Sequence, residues 1–290
     1  MERSRARAYN APPKFNPGTT VSRSFFLVAI LILLPCVASA QLKKDAPTVL
    51  VTGSNRGIGL ELARQYAERG WNVIATSRHS PGDAALGALQ AIASKHPQVA
   101  LEKLDVTDTA MIRSVAQKYH DQPIDVLINN AANVEATFAA DMAAASLPYD
   151  KIDFDAARRD FDVNTLGAMR VAQAFMPNVE RSKLKRVVSV TSLAGSFGQP
   201  LPGAIGMNYG ASKAALNKYM TLLAIAMQPK GVIIALVQPV FVASKADLKN
   251  MTGAAPVEQE VGKLVKVIDA LTPDSAGKIT NFSTGKIDPF

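Results

Sequence analysis

Tyr209 and Lys213 stand four residues apart at the start of an apolar-periodic stretch, so on a helix both side chains project from one face. A phenol titrates near a pKa of about 10 in water, and a neighbouring ammonium is expected to favour the phenolate and lower that value. Tyr209 is then a proton donor to an oxygen atom, or an acceptor in the reverse direction. Ser192 lies 17 residues upstream, at the end of an apolar run, and can hydrogen-bond the same oxygen as negative charge develops on it. Ser196, 13 residues before Tyr209, is the alternative for that role.

A second group of residues is suited to phosphate. Val49 to Val51 reads as a buried strand, Thr52-Gly53-Ser54-Asn55-Arg56-Gly57-Ile58-Gly59 follows, and a helical pattern runs from Leu60 until Gly70 closes it. Glycines at a strand-to-helix turn let backbone N–H groups approach a pyrophosphate, and the helix N-terminus adds unpaired donors and partial positive charge. At the end of the second strand, Val73 to Ser77 is followed by Arg78 with no acid nearby. An acid there accepts the free ribose hydroxyl of NAD, whereas a basic residue pairs with the 2'-phosphate of NADP. Arg78, with Arg56 in the turn, therefore favours NADP (NADPH) over NAD.

The elements that must position these groups alternate along the chain. Strands are predicted at Val49–Thr52, Asn72–Thr76, Val99–Leu104, Val126–Asn129, Arg186–Thr191 and Val232–Val237, with helical patterns between them. Such alternation implies an α/β protein, a doubly wound parallel sheet covered on both faces, in three layers and a single domain. A helix over Glu258–Leu271 and a short last strand close it, bringing the sheet to about seven strands. Ala139 to Ser146 reads as a surface excursion.

The N-terminus stands apart from this pattern. Arg3, Arg5, Arg7, Lys14 and Arg23 precede the apolar run Phe25 to Val37, which ends in Ala38-Ser39-Ala40. A basic region, a short apolar core and an Ala-x-Ala ending are the marks of a signal peptide, cleaved after Ala40, and leave residues 41–290 as the folded domain. The chain is then exported, periplasmic or secreted, touching the membrane transiently through its leader. The alternative is an uncleaved N-terminal anchor. The whole sequence has 32 basic and 24 acidic residues; without the five and one of the leader, 27 and 23 remain, a net charge of +4 instead of +8. That removes the compositional argument for nucleic-acid binding. The single cysteine, Cys36, is in the leader, so the domain has no disulfide and no thiol nucleophile, and three scattered histidines argue against a metal site.

Taken in order, the glycine turn, Leu104-Asp105-Val106-Thr107-Asp108, Asn129-Asn130-Ala131-Ala132, Val163-Asn164-Thr165-Leu166-Gly167, Ser192 and Tyr209-Gly210-Ala211-Ser212-Lys213 resemble the motifs of the short-chain dehydrogenase/reductase superfamily, over about residues 47 to 280. Asp125 to Asn130 and Val267 to Lys278 look more like the C-factor and sniffer-type carbonyl reductases. The resemblance implies a Rossmann fold and an oxidoreductase that reduces an aldehyde or ketone, or oxidises the alcohol, by hydride transfer with Tyr209 as proton donor. It assigns Ser192, Tyr209 and Lys213 to catalysis, and Asn164 to holding a water in a relay to Lys213. Lys213 would also bind the nicotinamide ribose, and Asp105 with Val106 would lie at the adenine. Thr52 to Gly59, Asn130, Ala131, Pro239, Val242 and Ser244 complete the expected cofactor contacts.

The chain departs from the family pattern at two places: Ala132 stands where a glycine is usual, and Val240 replaces the glycine of a Pro-Gly pair, with Ser244 in place of a threonine. The substrate mouth is expected between Leu193 and Met207, after Ala132, and over Phe241 to Pro256; Phe197, Met207 and Phe241 suit an apolar carbonyl compound. Pairing into a homodimer or homotetramer through long helices is the family habit, which points to the stretches near 158–180 and 208–228. Because NADP is a cytosolic metabolite, the alternative is an exported dinucleotide-binding or signalling protein of C-factor type without turnover.

Overall fold

β-Branched and aliphatic runs too short for helices become strands, and those buried on both faces show no polar alternation. In the computed structural model, which describes residues 41–134, 150, 152–199, 206–239, 242 and 255–290, they pair into one sheet. The strands are β1 (Thr48–Thr52), β2 (Asn72–Ser77), β3 (Val99–Lys103), β4 (Val126–Asn129), β5 (Arg186–Val190), β6 (Ile233–Gln238), β7 (Ile279–Asn281) and β8 (Lys286–Asp288). Every residue of β1, β2 and β4 is buried. The order is β3-β2-β1-β4-β5-β6-β7-β8, parallel throughout except for β8, which runs antiparallel to β7. The expected seven strands thus become eight, because Lys286–Asp288 forms a three-residue hairpin arm in a stretch without apolar periodicity.

Helices α1 (Gly57–Glu68), α2 (Gly87–Lys95) and α7 (Val257–Asp269) cover one face, and α3 (Thr109–Lys118), α5 (Ala168–Glu180) and α6 (Met207–Met227) the other. The period-two geometry of the strands divides the core between them. Val49 and Val51 join Leu62, Tyr66 and Leu264 on the first face; Leu50 joins Ile112, Phe175 and Met220 on the second. The short helix α4 (Phe154–Phe161) runs into a π-helical turn, Asp162–Gly167, which continues as α5. Strand order reverses between β1 and its two neighbours, β2 and β4, so the crevice at their carboxyl ends is the place where this architecture takes a ligand.

The leader, the Ala139–Ser146 excursion, Val240, Phe241 and Ser244 lie outside the described residues. Among the described residues no helix is long and apolar enough to cross a membrane.

Candidate functional site

The glycine turn is shaped by contacts that side chains would forbid. Gly53 is left-handed, with φ +69°, and a Cβ there would come within 2.9 Å of Ala131 Cα. A Cβ on Gly59 would reach the Gly53 carbonyl oxygen at 2.3 Å and Asn130 Nδ2 at 2.5 Å. β1, the first turn of α1 and the end of β4 are thus packed backbone to backbone. Thr52 locks this arrangement: its Oγ1 accepts from the backbone N–H groups of Asn130 and Ala131, both at 3.0 Å. Asn130 Nδ2 donates back to Thr52 O at 2.9 Å and Gly53 O at 3.2 Å. Buried Ser54 donates to Val51 O at 2.8 Å. Thr52, Ser54 and Asn130 therefore serve the cradle by shaping it.

A dinucleotide fits this cradle on the chain's own terms. α1 has no acid in its first turn and no side-chain cap, which leaves its leading N–H groups available to an anion. Arg56, at the cap position, and Arg78, one residue beyond β2, are both exposed, and neither forms an ion pair or side-chain hydrogen bond with a described residue. Asn55, Gly57 and Ile58 are partly exposed along the same turn. Asp105 is half-buried, and its Oδ1 accepts from Thr107 N at 2.9 Å and Thr107 Oγ1 at 2.7 Å, which fixes the turn that presents Val106. Val106 packs against Gly167, where a Cβ would meet it at 2.7 Å. Ala132, in place of the usual glycine, is exposed. Pro239 is partly buried after β6, and Val242 is buried and bridged to Ala255.

The residues expected to handle a proton lie where α6 meets the end of β5. The turn Leu193–Gly195 crosses the first turns of α6 closely: a Cβ on Gly210 would meet Ala194 O at 2.7 Å, and one on Gly195 would meet the Lys213 backbone carbon at 2.7 Å. The two candidate serines have different partners around this contact. The Ser192 hydroxyl hydrogen-bonds the Tyr209 phenol and accepts from Ala194 N at 3.2 Å. Ser196 instead donates to Pro289 O at 2.9 Å and so holds the C-terminal segment. Phe197, expected to line the mouth, is 90% exposed on this loop; Met207 begins α6 and is partly buried.

Tyr209 and Lys213 share a helix face as the spacing predicts, with Lys213 Nζ 5.7 Å from the centre of the phenol ring. Lys213 is buried and donates to Val190 O at 2.9 Å. The expected depression of the phenol pKa is not found. Burial pushes Tyr209 up to about 12, opposed by the Ser192 hydrogen bond and reinforced by the charge of Asp160. Burial also pushes the Lys213 ammonium down to about 8, with Asp160 pulling the other way. The reason is dielectric: both groups lose water, and each resists its charged form. At neutral pH the phenol therefore holds its proton, the state a donor needs.

Asn164 sits in the π-helical turn, buried, and its side chain braces the site instead of facing open space. Its Oδ1 accepts from Asn133 N at 2.7 Å, and its Nδ2 donates to Asn133 O at 3.0 Å and Ser212 Oγ at 2.9 Å. Ser212 Oγ in turn donates to the Tyr209 carbonyl at 2.7 Å. Asn133, Asp160 and Ser212 escaped the sequence reading. The signal that could have found Asp160 is its i, i+4 relation to both Ala156 and Asn164, all three buried, within a run of otherwise surface-like charges.

Three comparisons bear on this arrangement. The sequence description of the family short chain dehydrogenase matches residues 47–254. An uncharacterized oxidoreductase of Schizosaccharomyces pombe is 31% identical over 257 residues, covering 83% of this chain and 96% of its own. The C-signal protein of Myxococcus xanthus is 30% identical over 171 residues, 59% of this chain and 96% of that one. Among solved structures, NADPH-bound carbonyl reductase from chicken fatty liver superposes with a TM-score of 0.74 at 26% identity, covering 84% of this chain and 99% of that one. Carbonyl reductase Sniffer of Drosophila melanogaster shares the fold, with a TM-score of 0.73 at 20% identity, 84% of this chain and all of that one. The glycine cradle, the Ser192–Tyr209–Lys213 cluster and the sheet that joins them belong to a member of the short-chain dehydrogenase family, of carbonyl-reductase-like type.

Proposed function

We propose that the protein is an NADP(H)-dependent oxidoreductase that reduces an aldehyde or ketone, or oxidises the corresponding alcohol. The observation that carries this reading is the hydrogen bond between Ser192 and the Tyr209 phenol, with the Lys213 amine beside the ring. When bound, NADPH supplies a hydride. Ser192 and Tyr209 then hold the carbonyl oxygen between two O–H donors, and the Tyr209 proton moves to that oxygen as its charge grows. An alkoxide is far more basic than a phenolate, so a phenol near a pKa of 12 still gives up its proton readily at that point. Lys213, held by Val190 O, lies where it can stabilise the resulting phenolate. Arg56 and Arg78 are the residues for a 2'-phosphate. The NADPH-bound chicken carbonyl reductase supports that cofactor choice.

Export rests on the N-terminal sequence alone: cleavage after Ala40 releases residues 41–290, and N-terminal sequencing of the mature chain from fractionated cells checks it. A second copy of the chain is proposed to cover the outer face of α6. Similarity to C-signal favours, as a second reading, a protein that binds the dinucleotide without turnover.

Purified residues 41–290 should consume NADPH with an aromatic or medium-chain aldehyde, and Tyr209→Phe should abolish consumption while NADPH fluorescence titration stays unchanged. Full activity in that variant removes the mechanism; NADPH binding with no activity in either form favours the second reading.

A further inference from the structure

The loop that follows β5 is fastened on two sides. Asn217 of α6 donates to Gly195 O at 3.1 Å and accepts from Thr191 Oγ1 at 2.5 Å. From the other side the loop meets residues 288–290. Ser196 Oγ donates to Pro289 O at 2.9 Å, and Gly198 N donates to Phe290 O at 2.5 Å. The same segment reaches a second strand: Asp288 Oδ2 accepts at 2.5 Å from Nε2 of Gln238, the last residue of β6. Asp288, Pro289 and Phe290 therefore join the carboxyl ends of β5 and β6, which lead into the Leu193–Gly198 loop and Pro239.

Two features of this contact go beyond what filling space requires. Gly198 is not left-handed, so its backbone does not call for glycine. A Cβ there would instead meet Pro289 Cβ at 2.7 Å and Phe290 O at 2.9 Å, and the missing side chain is what lets the segment sit against the loop. Gln238 is 1% exposed, and its Oε1 has no hydrogen-bond partner among the described residues. Burying an amide with its acceptor unmet costs free energy that an apolar side chain of similar size would not. What the amide gains there is a charge-assisted bond to the Asp288 carboxylate.

We propose that Asp288, Pro289 and Phe290 form a clasp that positions the Ser192 hydroxyl for the carbonyl oxygen, acting through the loop from Ser192 to Gly198. The inference rests on the reading of Ser192 as a donor to that oxygen. The route is short. Ser192 Oγ accepts from Ala194 N at 3.2 Å, Gly195 N and Ser196 N donate to Ser192 O at 2.9 Å and Leu193 O at 3.0 Å, and the clasp holds Ser196 and Gly198. A donor aimed in advance stabilises developing charge without rearranging, and a displacement of about 1 Å is enough to lose much of that benefit. Among the described contacts that shape the glycine cradle none involves these three residues, so cofactor affinity should not depend on them.

The test compares wild type with a chain lacking Pro289 and Phe290 and with Gln238→Leu, each with Ser192 intact and with Ser192→Ala. In NADPH-dependent reduction of 4-nitrobenzaldehyde, either change should lower kcat/KM by about tenfold when Ser192 is present and by less than about twofold when it is alanine. Fluorescence titration should give the same Kd for NADPH throughout. An equal loss in both backgrounds, or no loss in either, overturns the proposal. The second measurement needs no turnover: hydrogen–deuterium exchange over residues 193–198 should quicken by about tenfold in the shortened chain, with exchange over α1 unchanged. Exchange that is unaltered, or faster throughout the protein, reduces the segment to general packing and overturns the proposal. If wild type reduces no aldehyde, the catalytic reading fails by itself, and the exchange measurement still decides whether the segment holds the loop. Ser196→Ala replaces the shortened chain if that chain does not fold; should none of the three variants fold, the segment has no role separable from folding and the proposal is withdrawn.

Discussion

At the scale of single residues, the site holds an ammonium in a place that resists it. Lys213 is buried, and its pKa falls from 10.5 to about 8 because the charged form has lost water. The folded chain then binds fewer protons here than the unfolded chain between those two values, so stability rises with pH across that window, and the full penalty applies below pH 8. Lys213→Met should stabilise the free protein by roughly 1–2 kcal/mol at pH 7, after allowance for the hydrogen bond to Val190 O, and the gain should fade as pH approaches 10. Turnover should vanish at every pH. Urea denaturation at pH 7 and pH 10 checks this; a variant less stable than wild type at pH 7 would mean that the lost hydrogen bond outweighs the buried charge. Here the sequence could be read for who stands beside whom, since i, i+4 spacing is local. It could not give the sign of the pKa shift, because burial is conferred by β5, α4 and the Leu193–Gly195 turn together.

At the scale of elements, the same division recurs. β1, the glycine turn and α1 were legible because each signal lies within a dozen residues. The different partners of Ser192 and Ser196 were not, since they depend on how a three-residue turn crosses a helix that begins far along the chain. Asp160 was hidden for a related reason: beside Arg158 and Arg159 it reads as solvated surface, and only the packing of α4 buries it. β8 was missed because its three residues are held by pairing with β7, not by any pattern of their own. One element carries an unmet requirement. Tyr219, Leu222 and Ile225 lie at three-residue steps along the outer face of α6, 45%, 51% and 65% exposed. Such a stripe is normally covered. Residues 41–290 should therefore elute as a dimer or tetramer, and Leu222→Glu should bring the light-scattering mass down to that of one chain with the secondary structure intact. A wild-type chain that is already monomeric at micromolar concentration would refute the proposed pairing.

At the scale of the whole molecule, the sheet separates two tasks. The edge toward β2 presents the arginines suited to a phosphate, the end of β5 with α6 presents the proposed proton donor, and the parallel pairing of β2, β1, β4 and β5 lies between them. A ligand that spans them binds the folded chain and not the unfolded one, so its affinity is added to the stability of the fold. At a hundredfold excess over its dissociation constant that is about 2.7 kcal/mol, and for a domain of this size each kcal/mol raises Tm by about 2–4 °C. NADPH should therefore raise Tm by roughly 5–10 °C at concentrations where NADH raises it much less. The preference should disappear in Arg56→Ala/Arg78→Ala, because removing two exposed guanidiniums costs the 2'-phosphate its partners while leaving the glycine cradle, and so the residual NADH effect, in place. Equal shifts by both cofactors in wild type would place the phosphate away from these arginines and reduce them to solvated surface charge. The same coupling bears on the proposed export: a chain that folds around NADPH before leaving the cytosol would retain it only as long as dissociation is slow, so the release rate measured after dilution sets how long such a molecule would remain loaded.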